Sequence, residues 1–207
     1  MLLFLDNDIL LKLGSLGFLE DLEKLFNSDA TSIYALPTAK PYILNNKKLR
    51  NKYPEHLLQQ ILIHLENYQV IPDELIDNQR YKSLSSIEKI DSGERVLFSL
   101  NPLDKKFLIL TGDKNAITQL NNKENIDEIK TDLTGKIVCL EYILLKLLDL
   151  YGIYIIEQRM IGRDFGGDKT LKIVFSQSSL TIEEAKNGLV SYFKDLYNQS
   201  NNLLLSP

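Results

Sequence analysis

Three short apolar runs, Leu2 to Leu5, Phe107 to Leu110 and Ile137 to Leu140, each give way to acid-bearing polar sequence: Asp6-Asn7-Asp8, Thr111-Gly112-Asp113 and Glu141. Runs this short and uninterrupted suit strands buried on both faces, as in a parallel sheet. Ile33 to Leu36, closed by Pro37-Thr38, and Tyr68 to Ile71 read as further short strands. Helical spacing of apolar residues recurs between them, at Ile9 to Leu13, Phe18 to Phe26, Leu57 to Leu65, Ala116 to Leu120 and Ile143 to Leu150. Alternating strands and helices predict an α/β protein with three layers, a central parallel sheet flanked by helices.

The acids fall where such a fold places its ligands, at the C-terminal ends of strands. Asp91-Ser92-Gly93-Glu94 adds two more at the start of a helix carrying Val96, Leu97 and Leu100, which Asn101-Pro102 ends. Taken singly, each acid has a plain role as a helix cap or a first-turn charge. Gathered at one edge, carboxylates repel unless a cation neutralises them, and an all-oxygen donor set suits Mg²⁺ or Mn²⁺. The candidate ligands are Asp6, Glu94 and Asp113, with Asp91, Asp8 and Glu141 beside them. Two such ions about 4 Å apart serve phosphodiester hydrolysis.

A net charge of -4 means that a nucleic acid has to be met by a local basic patch. Lys47, Lys48, Arg50 and Lys52 form one with no acid between them, flanked by Tyr42 and Tyr53. They are candidates for phosphate contact and the tyrosines for base stacking; a solvated helix face and ordinary edge packing are the plain alternatives. His56 and His64 lack the spacing of a ligand pair, and Cys139, the single cysteine, reads as a small buried apolar residue. The start M-L-L-F-L-D-N-D lacks a basic leader, and no apolar run reaches spanning length, so no membrane and a cytoplasmic location are expected.

Residues 1–152 read as one domain and 153–207 as a C-terminal appendage packed on it. Glu74 to Glu88 is polar and helix-compatible, and Asn121 to Asp132 is expected to be a surface loop. In the appendage, Arg159 to Lys169 reads as a polar loop and Leu171 to Phe175 as a strand. Ser179 to Tyr197 reads as a helix capped around Thr181 to Glu184, and Asn198 to Pro207 as a frayed end.

At F-L-D-N-D-I-L-L, Gly93-Glu94 with Val96-Leu97, and Thr111-Gly112-Asp113, the chain resembles the PIN-domain family of metal-dependent nucleases. A bacterial PIN-like subset is similar in more detail, with D-x-G-E at Asp91 to Glu94, T-G-D-K at Thr111 to Lys114 and C-L-E at Cys139 to Glu141. The resemblance covers Met1 to about Gly152. It implies catalytic Asp6, Glu94 and Asp113, a Mg²⁺- or Mn²⁺-dependent ribonuclease, and a toxin or defence effector restrained by an antitoxin or regulatory protein. It also implies pairing into a homodimer, for which the Ile143 to Leu150 helix is a candidate, although core packing explains that helix more simply. The chain departs from the family after its second strand, where Leu36-Pro37-Thr38-Ala39-Lys40-Pro41 lacks the usual Glu. Two other readings stand beside this one. A catalytically silent PIN-like scaffold would bind a partner. A haloacid-dehalogenase-like phosphatase would use Asp6 as nucleophile and Asp8 as acid/base, with D-N-D and T-G-D-K as its acidic tips. A bland α/β protein with helix-capping acids is a third.

Overall fold

The structure is a computed structural model that describes residues 1–102, 105–160, 168–175 and 180–206. It is a three-layer α/β protein with a five-stranded, all-parallel central sheet. The chain opens with β1 (Leu2–Leu5), α1 (Asn7–Leu16) and α2 (Asp21–Phe26), then β2 (Ile33–Ala35). Three helices follow, α3 (Ala39–Asn45), α4 (Lys47–Lys52) and α5 (Glu55–Asn67), and lead to β3 (Gln69–Val70). Next come α6 (Asn78–Leu84), α7 (Ser92–Phe98), β4 (Phe107–Leu110), α8 (Lys114–Asn122), α9 (Asp127–Leu133) and β5 (Ile137–Val138). The chain closes with α10 (Leu140–Met160), α11 (Lys169–Val174) and α12 (Ile182–Gln199).

Strand order is β3-β2-β1-β4-β5. The chain therefore winds outward from β1 on one side, returns, and winds outward again from β4. The switch point lies between β1 and β4, where an open α/β sheet leaves a crevice at its C-terminal edge. Register makes that edge level, because Leu5 lies opposite both Ala35 and Leu110. Leu3, Phe4, Ile109 and Leu110 are fully buried, as expected of central strands covered on both faces.

The core continues into the helices. Ile143, Leu144, Leu147 and Leu148 of α10 are fully buried, so this stripe packs inside the protein and is not offered to a second copy. Gly152 interrupts α10 with φ 75° and ψ 174°, a conformation that glycine adopts without the steric cost a Cβ would bring. The helix expected over Ile143 to Leu150 therefore breaks at Gly152, and a second helical segment continues to Met160. Among the described residues, no helix is long and apolar enough to cross a membrane.

Several expectations are corrected. The loop expected over Asn121 to Asp132 contains α9, whose Ile129 and Leu133 are buried four residues apart. The strand expected over Leu171 to Phe175 is helix α11, started by the Asp168 side chain, which accepts the Leu171 N–H at 3.1 Å. The segment from Glu74 to Glu88 divides into a 3₁₀ turn (Asp73–Leu75) and α6, because the Asp77 carboxylate starts a new helix by accepting the N–H groups of Gln79 and Arg80. The tail is not frayed: Leu203 and Leu204 are buried, and the Leu205 N–H donates to Ile137 O at 2.7 Å beside β5. The polar residues of the expected Arg159 to Lys169 loop between 161 and 167, and Ser178 and Ser179, lie outside the described residues.

Candidate functional site

Level strand ends bring the acids together. Asp6 leaves β1 beside Thr111, which leaves β4; the Asp6 N–H donates to Leu110 O at 2.9 Å, and the Thr111 hydroxyl donates to Asp6 Oδ2 at 3.2 Å. Asp6 holds the N-cap position of α1 but makes no side-chain cap bond, so capping does not account for it. Only 8% of the residue is exposed. Burial, followed by the Asp8 and Asp91 charges, pushes its carboxyl up to about 7.

Glu94 and Asp91 form a capping box at the start of α7: Asp91 Oδ1 accepts the Glu94 N–H at 2.9 Å and Glu94 Oε2 accepts the Asp91 N–H at 2.8 Å. Glu94 is buried, and burial together with the charges of Asp113, Asp91 and Asp6 pushes its carboxyl up to about 8. Asp113 caps α8, accepting the Ala116 N–H at 2.9 Å, while its own N–H donates to the Thr111 hydroxyl at 3.2 Å. Asp6, Asp8, Asp91, Glu94 and Asp113 all line one cavity of about 820 Å³. The three acids proposed as catalytic therefore face a common space.

Two residue sets behave differently from expectation. Glu141 does not line this cavity; it sits 2% exposed behind it, paired with Lys114, and its Oε2 has no hydrogen-bond partner among the described residues. Of the basic patch on α4, only Lys52 reaches the cavity lining, together with Tyr42 and Tyr53. Lys47, Lys48 and Arg50 are exposed on the same short helix, with Arg50 donating to Leu44 O. At the start of α3, where the sequence has no acid, Leu36 and Thr38 line the cavity. Cys139 is buried, and burial next to Glu141 pushes its thiol far up, the opposite of an activated nucleophile.

The sequence reading missed the cations set among these acids. Lys12 Nζ lies 2.7 Å from Asp8 Oδ2 and 2.7 Å from Asp168 Oδ2, with only 10% of its side chain exposed. Lys114 pairs with Glu141 and donates to the Thr170 hydroxyl at 2.5 Å. The Asp8–Lys12 spacing of one helical turn is visible in the sequence. The partners Asp168 and Thr170 come from far along the chain and leave no local trace.

A hard divalent cation matches these donors in kind. Every candidate ligand is an oxygen, and Asn7 Oδ1, on a residue lining the cavity, is buried without a partner among the described residues. The arrangement is not that of a formed site, since among the described residues no group of three or more His, Cys, Asp or Glu is placed to hold a metal ion. The physical reason is visible: Glu94 and Asp113 are engaged as helix caps and Asp8 by Lys12. Compared with protein-family models, curated proteins and solved structures, the chain finds no match.

Proposed function

We propose that this chain is a divalent-metal-dependent nuclease of PIN-like type, cleaving phosphodiester bonds in RNA. The observation that carries the reading is the meeting of Asp6, Glu94 and Asp113 on one cavity at the β1/β4 switch point. Two of these carboxyls are buried deeply enough, and set close enough to other acids, to hold protons near neutral pH. The residues that would hold Mg²⁺ or Mn²⁺ are Asp6, Glu94 and Asp113, with Asn7 and Asp91 beside them. A bound divalent ion supplies a polarised water and neutralises charge as the phosphate arrives. The chain's own residues do the rest. Thr111 orients Asp6 through its hydroxyl, Asp91 holds the backbone of Glu94, and the exposed Tyr42 and Lys52 form a rim where an RNA strand can stack and be charge-compensated, while Tyr53 is buried beneath them. A cytoplasmic role as a toxin or defence effector, with an antitoxin or a second copy as partner, belongs to the same proposal.

The test is cleavage of labelled RNA with Mn²⁺ or Mg²⁺ and with EDTA. Activity that needs the metal and is lost in Asp6→Asn, Glu94→Gln and Asp113→Asn supports the reading. A rise in melting temperature with Mn²⁺ in the wild type but not in Asp6→Asn reports binding independently of turnover. The scaffold reading draws on a specific observation, the capping bonds that already occupy Glu94 and Asp113. It predicts RNA or protein binding that survives all three substitutions. A phosphatase would lose activity with Asp6→Asn and Asp8→Asn and keep it in Glu94→Gln.

A further inference from the structure

We propose that Lys114 is the residue that meets a substrate phosphate, and that Glu141, Thr170 and Tyr192 hold it in position. The proposal rests on the nuclease reading and says how that site grips the strand it cuts. A cavity walled by carboxylates repels a polyanion, so a cation must offset the repulsion where the backbone enters. Among the described residues, three lysines line the cavity: Lys12, Lys52 and Lys114. Lys12 stands between two carboxylates, each at 2.7 Å, and its charge is more than cancelled. Lys52 is exposed on a short helix, its ammonium over the Tyr53 ring at 5.3 Å.

Lys114 differs from both. It follows Asp113 directly, its side chain is 34% exposed, and it is anchored from three separate helices. Glu141 of α10 pairs with it, Thr170 of α11 accepts from it at 2.5 Å, and the Tyr192 ring of α12 lies 5.4 Å from its nitrogen. An ammonium has three N–H donors, and among the described residues these contacts use two. The third can donate to a non-bridging phosphate oxygen, with no bond made or broken by the lysine. The pair is also oriented, because its carboxylate is buried behind the wall and its ammonium faces the cavity. Glu141 is 2% exposed with one oxygen lacking a partner among the described residues, a costly placement that merely opening a helix does not require.

The experiment measures binding of a short fluorescent RNA in EDTA over a salt series, beside Mn²⁺-dependent cleavage. Lys114→Met should weaken binding about tenfold and flatten the slope of log K against log salt by about 0.7, the value for one lost contact to a single strand. Lys114→Arg should keep the slope. Glu141→Gln, which frees the ammonium but leaves its charge, should keep the slope and lower kcat about tenfold. A folded Lys114→Met with wild-type slope, in a protein whose wild type cleaves RNA, overturns the lysine assignment and leaves the nuclease reading standing. A wild type that neither binds nor cleaves overturns both. Where Lys114→Met does not fold, Lys114→Gln carries the binding test, and an unchanged kcat in Glu141→Gln overturns the positioning role.

Discussion

Asp168 and Lys12, 156 positions apart in the chain, meet at 2.7 Å on the wall of the acid cavity. Asp8 holds the same ammonium from the other side. Residues beyond Gly152 thus help to build the cavity, and the ion triad ties α11 to α1.

Lys12→Met removes the cation and leaves Asp8 and Asp168 facing each other. For a buried pair the loss is about 3–5 kcal/mol; here about 2–3 kcal/mol is expected, because 42% of the Asp8 side chain is exposed. Asp168→Asn keeps the α11 cap and should cost less, about 1–2 kcal/mol. Urea denaturation of both variants at neutral pH checks the order. Lys12 lowers the Asp168 pKa against the opposing effect of burial. The stability this group contributes is therefore present above its unfolded value of 3.8 and is lost as pH falls below it.

Asp6 and Glu94 act in the opposite direction. Their carboxyls are raised from 3.8 to about 7 and from 4.5 to about 8, so between those limits the folded protein binds more protons than the unfolded chain. Metal-free stability should therefore fall as pH rises from about 4 to about 8 and level off above. Asp6→Asn keeps an oxygen to accept from Thr111 and removes the buried charge. It should raise stability at pH 8, on the order of 2–4 kcal/mol, and change little at pH 4. Melting curves at the two pH values, in EDTA, decide it.

A helical glycine usually gains from alanine, by about 0.5–1 kcal/mol. Gly14 should not. A Cβ there would lie 2.3 Å from Ile61 Cγ1 and 2.7 Å from its Cδ1, where α1 packs against α5. Overpacking wins, and Gly14→Ala should destabilise by about 1–3 kcal/mol. At Gly112 a Cβ would meet Asp8 Oδ2 at 2.2 Å. Gly112→Ala should displace that carboxylate from Lys12 and lower activity more than stability, as paired cleavage and denaturation measurements would show.

Asp91→Ala removes the acceptor for the Glu94 N–H and should cost about 1 kcal/mol as a lost cap. Asp91→Asn retains the cap but not the charge. If Asp91 serves only to fix Glu94, Asn restores both stability and cleavage; if its charge helps hold the cation, Asn restores stability and leaves Mn²⁺ affinity lowered.

The strands that carry the site were legible because central parallel strands are apolar on both faces, so β1 and β4 stand out as unbroken runs ending at Asp6 and Asp113. The capping box at Asp91 and Glu94 was legible as a local motif. Helix α9 was hidden by the charges of Asp127, Glu128, Lys130 and Asp132, although Ile126, Ile129 and Leu133 already held helical spacing. Helix α11 carries a strand-like sequence, since L-K-I-V-F is rich in strand formers, and the Asp168 cap that overrides this preference is a contact within a turn, not a property of composition. The lysine partnerships were out of reach for a different reason: which acid meets Lys12 or Lys114 depends on how the helices pack after the sheet has formed.

Residues 202–205 run beside Ile137 and close the β5 flank, whereas at the other flank Val70 of β3 stands 61% exposed. A sheet latched on one side can be extended on the other only. Among the described residues, a strand donated by a second molecule would have to arrive next to Gln69 and Val70, and two copies pairing there would leave neither with an open edge on which a third could add.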